Sequence, residues 1–245
     1  MNTYNDIGKL LTSNEYPGRG ILLGTSPDGK HSVAAYFITG RSENSRNRIF
    51  EKRNDGIYTK AFDESKMKDP SLIIYAAVKQ FENTLIVTNG DQTDTIYDFL
   101  EKEQSFEAAL ATRKFEPDAP NFTSRISGVA VHGSKGLGYK LSIIKSLDRA
   151  GSVCGRFVYS YEPDAGVGHL IHTYRGDGNP LPAFTGEPAA VLIYNDCKKF
   201  AQYIWSSLNE ENRISLYVRY TDIKTGEYTE AIINKNRKET AGERI

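Results

Sequence analysis

Short runs of apolar, β-branched and aromatic residues recur along the chain, and this pattern limits the possible folds more than any other feature. Such runs are typical of β-strands. They are ILLGT from Ile21, SVAAYFI from Ser32, SLIIYAAV from Ser71, TLIVT from Thr84, RISGVAV from Arg125, YKLSIIKSL from Tyr139, GRFVYSY from Gly155, GHLIHTY from Gly168, RISLYVRY from Arg213 and YTEAII from Tyr228. In SLIIYAAV both alternating positions are apolar, which predicts a strand covered on both faces.

Two segments between these runs repeat apolar residues at helical spacing. The first covers residues 94–112, where Ser105 can cap a second helical piece. The second covers residues 196–208, with Asn195 or Asp196 as its N-cap. Many strands with a few interspersed helices favour an α+β fold, in which sheets stack and helices lie outside them.

Length and composition set further limits. The 245 residues show no repeat or linker, so we expect one domain over residues 1–234 and a polar, frayed tail over 235–245. Lys+Arg and Asp+Glu both number 31, and this zero net charge argues against a nucleic-acid-binding protein. The two cysteines form no CxxC pair, which argues against a disulfide framework or a zinc knuckle.

Nothing in the sequence predicts export or membrane insertion. The first residues lack the basic start and long apolar run of a signal peptide. No apolar run approaches the length that a transmembrane helix needs. We therefore expect a cytoplasmic protein.

One polar loop, Gly40 to Arg48, gathers three arginines between apolar ends. Guanidinium groups fork onto phosphate or carboxylate oxygens, so the arginines of this loop could hold an anion. The alternative is a solvated hairpin loop, because surface loops are usually polar. We expect Arg46 to face solvent in either case.

Two shorter segments place polar residues at strand ends. TNGDQTD, from Thr88, joins a strand to a helix, where free N–H groups can hold a ligand. Asp91 or Asp94 could instead be a simple N-cap. PNFTSRISG, from Pro120, brings Arg125 to the start of a strand, where it could also stack on Phe122.

A long Gly/Pro-rich segment, Thr173 to Pro188, carries Asp177 and Glu187 as its only acids. Long loops without regular structure are often functional. His169 and His172 precede it at a spacing that would point them to opposite faces of a strand. We therefore expect no metal site.

Taken together, these segments resemble one family, the archaeal-type inosine monophosphate (IMP) cyclohydrolases. The resemblance covers roughly residues 16–210, in matching order and rough spacing. The segments that carry it are GRGILLG from Gly18, AAYFITGRSENSRNR from Ala34, LIIYAAVK with Tyr75, VTNGDQTD from Val87 and NFTSRISGV from Asn121. The chain departs from the family in a longer segment before Gly18 and an extended C-terminal part.

The resemblance implies a fold and a reaction. The fold is a four-layer αββα sandwich similar to N-terminal-nucleophile hydrolases, without the self-processing nucleophile. The reaction closes the ring of 5-formamidoimidazole-4-carboxamide ribotide, with loss of water, to give IMP in the last step of purine synthesis. It implies a small-molecule purine ribotide as the partner and no cofactor. An exposed sheet edge leaves room for a homo-oligomer.

The resemblance also implies roles for ten side chains. The catalytic candidates are Arg41, Tyr75, Asn89 and Glu187. The substrate-binding candidates are Arg19, Ser42, Asn47, Arg48, Asp91 and Arg125. In this scheme the arginine loop binds the phosphate or the carboxamide, and Arg19 adds a second cation.

The remaining roles also rest on position within the matched segments, and the chemistry of the reaction says what they must supply. The carboxamide nitrogen is a poor nucleophile, so the enzyme must hold it against the formyl carbon and stabilise charge on the formyl oxygen. Tyr75 and Asn89 are expected to hold the base and donate to that oxygen, with Asp91 orienting one of them. Arg125 is expected to close the pocket. Glu187 is the candidate for proton transfer.

Two other functions remain open. The chain could be a non-catalytic protein that binds a purine ribotide, which predicts stabilisation by ligand without turnover. It could also be an amidohydrolase on the same fold, which predicts release of formate or an amine. The absence of an obvious N-terminal nucleophile in the sequence argues against the amidohydrolase.

Overall fold

The computed structural model describes residues 4–67, 74–133 and 136–236. They form an α+β fold with two antiparallel sheets and few helices, as the sequence predicts at this level. Residues 71–73 at the start of SLIIYAAV and residues 237–245 of the polar tail lie outside the described residues. Within the described part of the chain, no helix is both long and apolar enough to cross a membrane.

The described strands fall into a six-stranded and a seven-stranded sheet. The first has the order β11-β10-β1-β2-β12-β13 and the second the order β3-β4-β5-β6-β7-β8-β9. Their bounds are β1 Arg19–Thr25, β2 His31–Thr39, β3 Arg48–Arg53, β4 Gly56–Ala61, β5 Ala76–Phe81, β6 Thr84–Thr88, β7 Arg125–Gly133, β8 Gly136–Ser146, β9 Cys154–Tyr161, β10 Val167–His172, β11 Ala189–Leu192, β12 Arg213–Asp222 and β13 Tyr228–Asn234.

The helices are short, and side chains cap several of them. They are α1 Ile7–Thr12, α2 Glu43–Arg46, α3 Gln92–Glu101, α4 Phe106–Ala111 and α5 Cys197–Ser207, with a 3₁₀ turn at Glu64–Lys66. Ser105 accepts a hydrogen bond from the Ala108 N–H at the start of α4, and Asp196 accepts one from Lys199 at the start of α5. Both predicted helical segments and both caps are therefore confirmed.

Three of the four apolar clusters among the described residues pack the sheets and helices together. The main one lies between the sheets, where Leu23 and Tyr36 of the first sheet meet Val87 and Ile126 of the second. A second joins α1 and α5 to the opposite face of the six-stranded sheet. A third joins α3 and α4 to the opposite face of the seven-stranded sheet.

Several elements differ from the sequence prediction. The strand predicted from Ser71 begins at Ala76 among the described residues. Ile74 and Tyr75 lie before this strand and are not part of it. β3, β4, β11 and α1 were not predicted. The polar loop Gly40 to Arg48 contains the single helical turn α2, and Arg48 already belongs to β3. The segment 173–188 has no strand or helix beyond one isolated bridge, Tyr174 with Ala183, as expected.

The strand order brings the polar segments to one edge of the molecule. Neighbouring antiparallel strands run in opposite directions, so the start of one strand lies beside the end of the next. Arg19 begins β1 beside the end of β2, and Arg125 begins β7 beside the end of β6. Arg48 begins β3 shortly after β2 ends. The candidate site therefore lies at this edge of the molecule.

Candidate active site

A cleft of about 330 Å³ opens at this edge, and residues from both sheets line it. Two of its walls carry guanidinium groups, Arg19 from the six-stranded sheet and Arg48 from the seven-stranded sheet. A third arginine, carboxylates, amides, hydroxyl groups, two tyrosines and one leucine form the rest of the lining. The cleft is therefore a polar site built from several separate parts of the chain.

Arg48 is buried and has no counter-ion among the described residues. It is only 4% exposed, yet its Nε and Nη1 find no hydrogen-bond partner among the described residues, and the Nε of Arg19 is in the same state. Neither side chain joins an ion pair in the described part of the chain. Burial, with the positive charge of Arg19, lowers the pKa of Arg48 to about 10, so it remains charged at neutral pH. Unpaired buried charges are costly, which makes this part of the cleft a site for an anion.

Glu116 supplies a buried carboxyl group to the same cleft. Its Oε1 lies 3.1 Å from Nη1 of Arg125, while its Oε2 is buried and has no partner among the described residues. Burial raises the pKa of Glu116, although the positive charges of Arg125 and Arg19 oppose the rise. A carboxyl group with a raised pKa and a free oxygen can act as a general acid or base.

A charged network fixes Arg125 behind Glu116. Nη1 of Arg125 donates to Asp91 Oδ1 at 2.6 Å and to Gln92 Oε1 at 2.7 Å, and Arg113 also pairs with Asp91 at 2.5 Å. Partial burial opposes ionisation of Asp91, but the two arginines prevail and lower its pKa. Gly90 is needed here, because a Cβ at that position would lie 2.6 Å from Nη1 of Arg125.

An aromatic stack forms another wall. The rings of Tyr16 and Tyr174 stack with centroids 5.7 Å apart, and the guanidinium of Arg41 lies 4.8 Å from the centroid of the Tyr16 ring. Gly18 allows this approach, since it has a φ of +75° and a Cβ there would lie 2.5 Å from Tyr174. Such a flat wall suits a planar heterocycle.

The Tyr174 hydroxyl has a fixed direction. Thr123 donates its hydroxyl proton to the carboxylate of Asp118, which can only accept. The hydroxyl oxygen of Thr123 lies 2.6 Å from that of Tyr174, so it accepts the phenol proton. The free lone pair of the Tyr174 oxygen can therefore accept a hydrogen bond from a ligand.

Arg41 connects the polar loop Gly40 to Arg48 with the long segment 173–188. Its Nη1 donates to Asp177, and its Nη2 donates to the Gly178 carbonyl at 3.3 Å. Both partners of this ion pair are exposed. The contact is therefore one that a ligand and solvent can reach.

Five of the ten predicted site residues line the cleft, namely Arg19, Arg41, Ser42, Arg48 and Asn89. Ser42 also caps α2 by accepting a hydrogen bond from the Ser45 N–H at 3.1 Å. The amide of Asn89 is heavily used within the protein: its Nδ2 donates to the Ser124 carbonyl, and its Oδ1 accepts from the Ile126 N–H and from Gln92. Arg46, expected in solvent, is exposed and donates to the Gly40 carbonyl.

The other five lie behind or away from the cleft. Asp91 and Arg125 form the network described above. Asn47 is buried and exchanges two hydrogen bonds with the backbone of Asp63. Tyr75 is buried with its hydroxyl 2.7 Å from that of Tyr36. Glu187 is exposed and acts electrostatically on Tyr159 and Tyr161, outside the cleft lining. The functional roles of all five stay predictions.

Sequence reasoning missed several residues that line the cleft. They are Tyr16, Glu116, Asp118, Asn121, Thr123 and Tyr174. Four of them belong to one stretch, EPDAPNFT from Glu116, which overlaps a segment already noted for Arg125. The available signal was two carboxylates separated by one proline, directly before that segment.

Comparisons with known proteins agree on one family. The family model described as IMP cyclohydrolase-like protein matches residues 16–227. The IMP cyclohydrolase of Methanococcus aeolicus is 32% identical over 128 residues, which are 51% of this chain and 62% of that protein. For the IMP cyclohydrolase of Methanosphaera stadtmanae the identity is 31% over 129 residues, or 51% and 61% of the two chains.

A third relative, the IMP cyclohydrolase of Methanopyrus kandleri, is 31% identical over 103 residues, which are 42% of this chain and 50% of that protein. The matches thus span between 50% and 62% of the length of these relatives.

Proposed function

The chain belongs to the IMP cyclohydrolase-like family, and on that premise we propose that it converts 5-formamidoimidazole-4-carboxamide ribotide into IMP. The reaction closes a ring, releases water and is the last step of de novo purine biosynthesis. We also propose that the two sheets and their outer helices form the four-layer αββα sandwich of N-terminal-nucleophile hydrolases, without self-processing. The separate helix clusters on the two outer faces support this arrangement.

One observation carries the functional proposal: two unpaired guanidinium groups, Arg19 and Arg48, share a cleft with a carboxyl group of raised pKa, Glu116. A ribotide phosphate is a dianion and would neutralise the two arginines. Guanidinium groups bind phosphate through forked hydrogen bonds. The base would then lie against the stacked rings of Tyr16 and Tyr174.

The reaction makes one bond and breaks another. The carboxamide nitrogen bonds to the formyl carbon, and the formyl oxygen later leaves as water. The two protons of that water come from the carboxamide nitrogen and from the formamido nitrogen. A single carboxyl group can take the first proton and deliver it to the leaving oxygen, if it lies within reach of both.

Glu116 fits this task better than Glu187. Its free Oε2 is buried in the cleft wall, whereas Glu187 is exposed outside the lining. Its raised pKa keeps the protonated form accessible at a higher pH than for an ordinary glutamate. We therefore move the proposed proton-transfer role from Glu187 to Glu116.

The other assignments follow their positions. Arg41 reaches the cleft from the exposed side and is proposed to close on the bound ligand. Asn89 is proposed mainly to hold the β6 end against β7, because its amide already serves three partners. Tyr75 is proposed to act through its hydrogen bond with Tyr36 at the rear of the cleft.

The test uses the purified chain and the formamido ribotide, with IMP followed by its absorbance and by chromatography. Turnover no faster than the uncatalysed background would contradict the enzyme proposal. Stabilisation by the ribotide without turnover would instead indicate a binding protein. Release of formate without IMP would indicate an amidohydrolase.

A further inference from the structure

A second charged cleft lies at the opposite end of β3 from the active-site candidate. Its volume is about 320 Å³, and the strands β3, β4, β5, β12 and β13 contribute to its lining. Arg48 begins β3 in the first cleft and Arg53 ends β3 in the second. Five steps along a strand correspond to ~17 Å, so the two clefts are separate sites.

Arg219 is the residue that makes this cleft unusual. It is 8% exposed, and its guanidinium carbon lies 3.8 Å from the centroid of the Tyr228 ring. Its Nε donates to the Thr221 hydroxyl at 2.9 Å. Of the four cations in the lining, it is the one that joins no ion pair among the described residues.

The carboxylate that faces Arg219 across the pair of strands β12 and β13 already binds two other side chains. Glu230 stands directly across from Arg219 in the register of β12 and β13. Its Oε1 pairs with Lys52 at 2.5 Å, and its Oε2 accepts the Tyr217 hydroxyl at 2.9 Å. The positive charge of Arg219 therefore lacks a directly paired carboxylate, although it is more than nine-tenths buried.

The other two cations are also paired. Arg53 binds Glu51 and Lys79 binds Asp94, and neither carboxylate lines the cleft. The positive charge of Arg219 also acts on His132. Burial and this charge together lower the pKa of His132. Stacking on Tyr228 fixes the plane of the guanidinium and leaves its outer edge to donate within that plane.

We propose that this second cleft is a binding site for a small phosphate-bearing anion, with Arg219 as its main donor and Lys52 beside it. The forked edge of a guanidinium matches two phosphate oxygens. The anion gives Arg219 the negatively charged partner that it does not have among the described residues. The proposal does not depend on the reaction assigned to the first cleft.

Inorganic phosphate is the probe, measured by isothermal titration calorimetry at constant ionic strength set with sodium chloride. The background is the full chain carrying Arg19→Met, Arg41→Met and Arg48→Met, which removes the three arginines that line the first cleft. We expect this protein to bind one phosphate. Adding Arg219→Met should weaken that binding at least tenfold.

Arg213→Met is the matched control, because Arg213 lies on the same strand, stacks 4.9 Å from Trp205 and pairs with Glu210. It should change the phosphate affinity less than twofold. If circular dichroism shows that Arg219→Met does not fold, phosphate binding is measured with Arg219→Lys instead. Lysine keeps the positive charge but loses the two parallel N–H donors of the guanidinium. The proposal is overturned if the background protein binds no phosphate, or if the folded Arg219 variant binds it as well as the background does.

Discussion

Arg19 and Arg48 begin strands of different sheets, yet they line one cleft and the charge of Arg19 lowers the pKa of Arg48. Two like charges held together in a buried place raise the free energy of the ligand-free protein. A bound dianion removes that cost.

Arg48→Met should stabilise the ligand-free protein and impair catalysis. Replacing a buried charge by an apolar side chain of similar length is often stabilising, by roughly 1–4 kcal/mol. Losing a charge-assisted contact to phosphate costs about 2–5 kcal/mol of binding, so kcat/KM should fall about thirtyfold or more. Denaturant unfolding and steady-state kinetics measure the two effects, and a destabilised variant with normal kinetics would contradict both.

Glu116→Gln should abolish most of the turnover, while Glu187→Gln should keep it. A glutamine cannot exchange a proton, and general acid–base catalysis typically contributes about 10²–10⁴-fold to the rate. Both variants retain the size of the side chain, which limits structural effects. The reverse result, with Glu187→Gln inactive and Glu116→Gln active, would restore the role predicted from sequence.

The pH dependence of stability offers an independent check on Glu116. Its pKa is raised in the folded protein, so the folded state binds more protons than the unfolded state as pH rises from the ordinary glutamate pKa. This group therefore contributes a loss of stability that grows until pH passes its raised pKa. The melting temperature of Glu116→Gln minus that of the parent should become more positive with increasing pH. A pH-independent difference would show that the pKa is not raised.

Arg41→Ala should reduce turnover without unfolding the protein. Its ion pair with Asp177 is exposed on both sides, and exposed pairs contribute only about 0–1 kcal/mol to stability. Asp177→Asn is the informative companion, because it frees Arg41 while keeping its charge. We expect a raised KM for Arg41→Ala and a smaller change for Asp177→Asn. Equal kinetics for Arg41→Ala and the parent would remove Arg41 from the site.

Asn89→Ala should act mainly on stability. It removes the Asn89 partner of the Ser124 carbonyl and of the Ile126 N–H, and leaves the Gln92 amide with only the Ile126 carbonyl as acceptor. Each buried group left without a partner costs about 1–3 kcal/mol. Thermal unfolding should show a large decrease in melting temperature. A variant with normal stability and lost turnover would instead support the direct catalytic role predicted from sequence.

The sequence predicted the sheet-rich fold because apolar runs are a local pattern. The resemblance to a known family, and not local pattern, implied the ten site residues, of which five line the cleft. The apolar runs of β1, β2, β6 and β7 are long and uninterrupted by charge, so they are readable one segment at a time. β3 and β4 were not predicted, because their sequences RIFEKR and GIYTKA mix charged and apolar residues. The six residues of α1 are too few to show a helical period.

The remaining differences depend on tertiary contacts. Arg41 and Arg48 look alike in the sequence, but Arg48 opens a strand and is buried, whereas Arg41 precedes a helical turn and is exposed. Glu187 was chosen because it is an acid in a long loop. The path of that loop is set by distant contacts, such as the bond from Tyr159 to the Gly186 carbonyl. No local pattern in the sequence reports such a path.

Since Arg19 belongs to one sheet and Arg48 to the other, a single bound phosphate would form bonds across the interface between the sheets. Any opening motion that parts the sheets must first release the ligand. Saturating ligand should therefore slow amide hydrogen exchange in the buried strands β1 and β6, far along the chain from each other, while leaving the exposed C-terminal end of α3 unaffected.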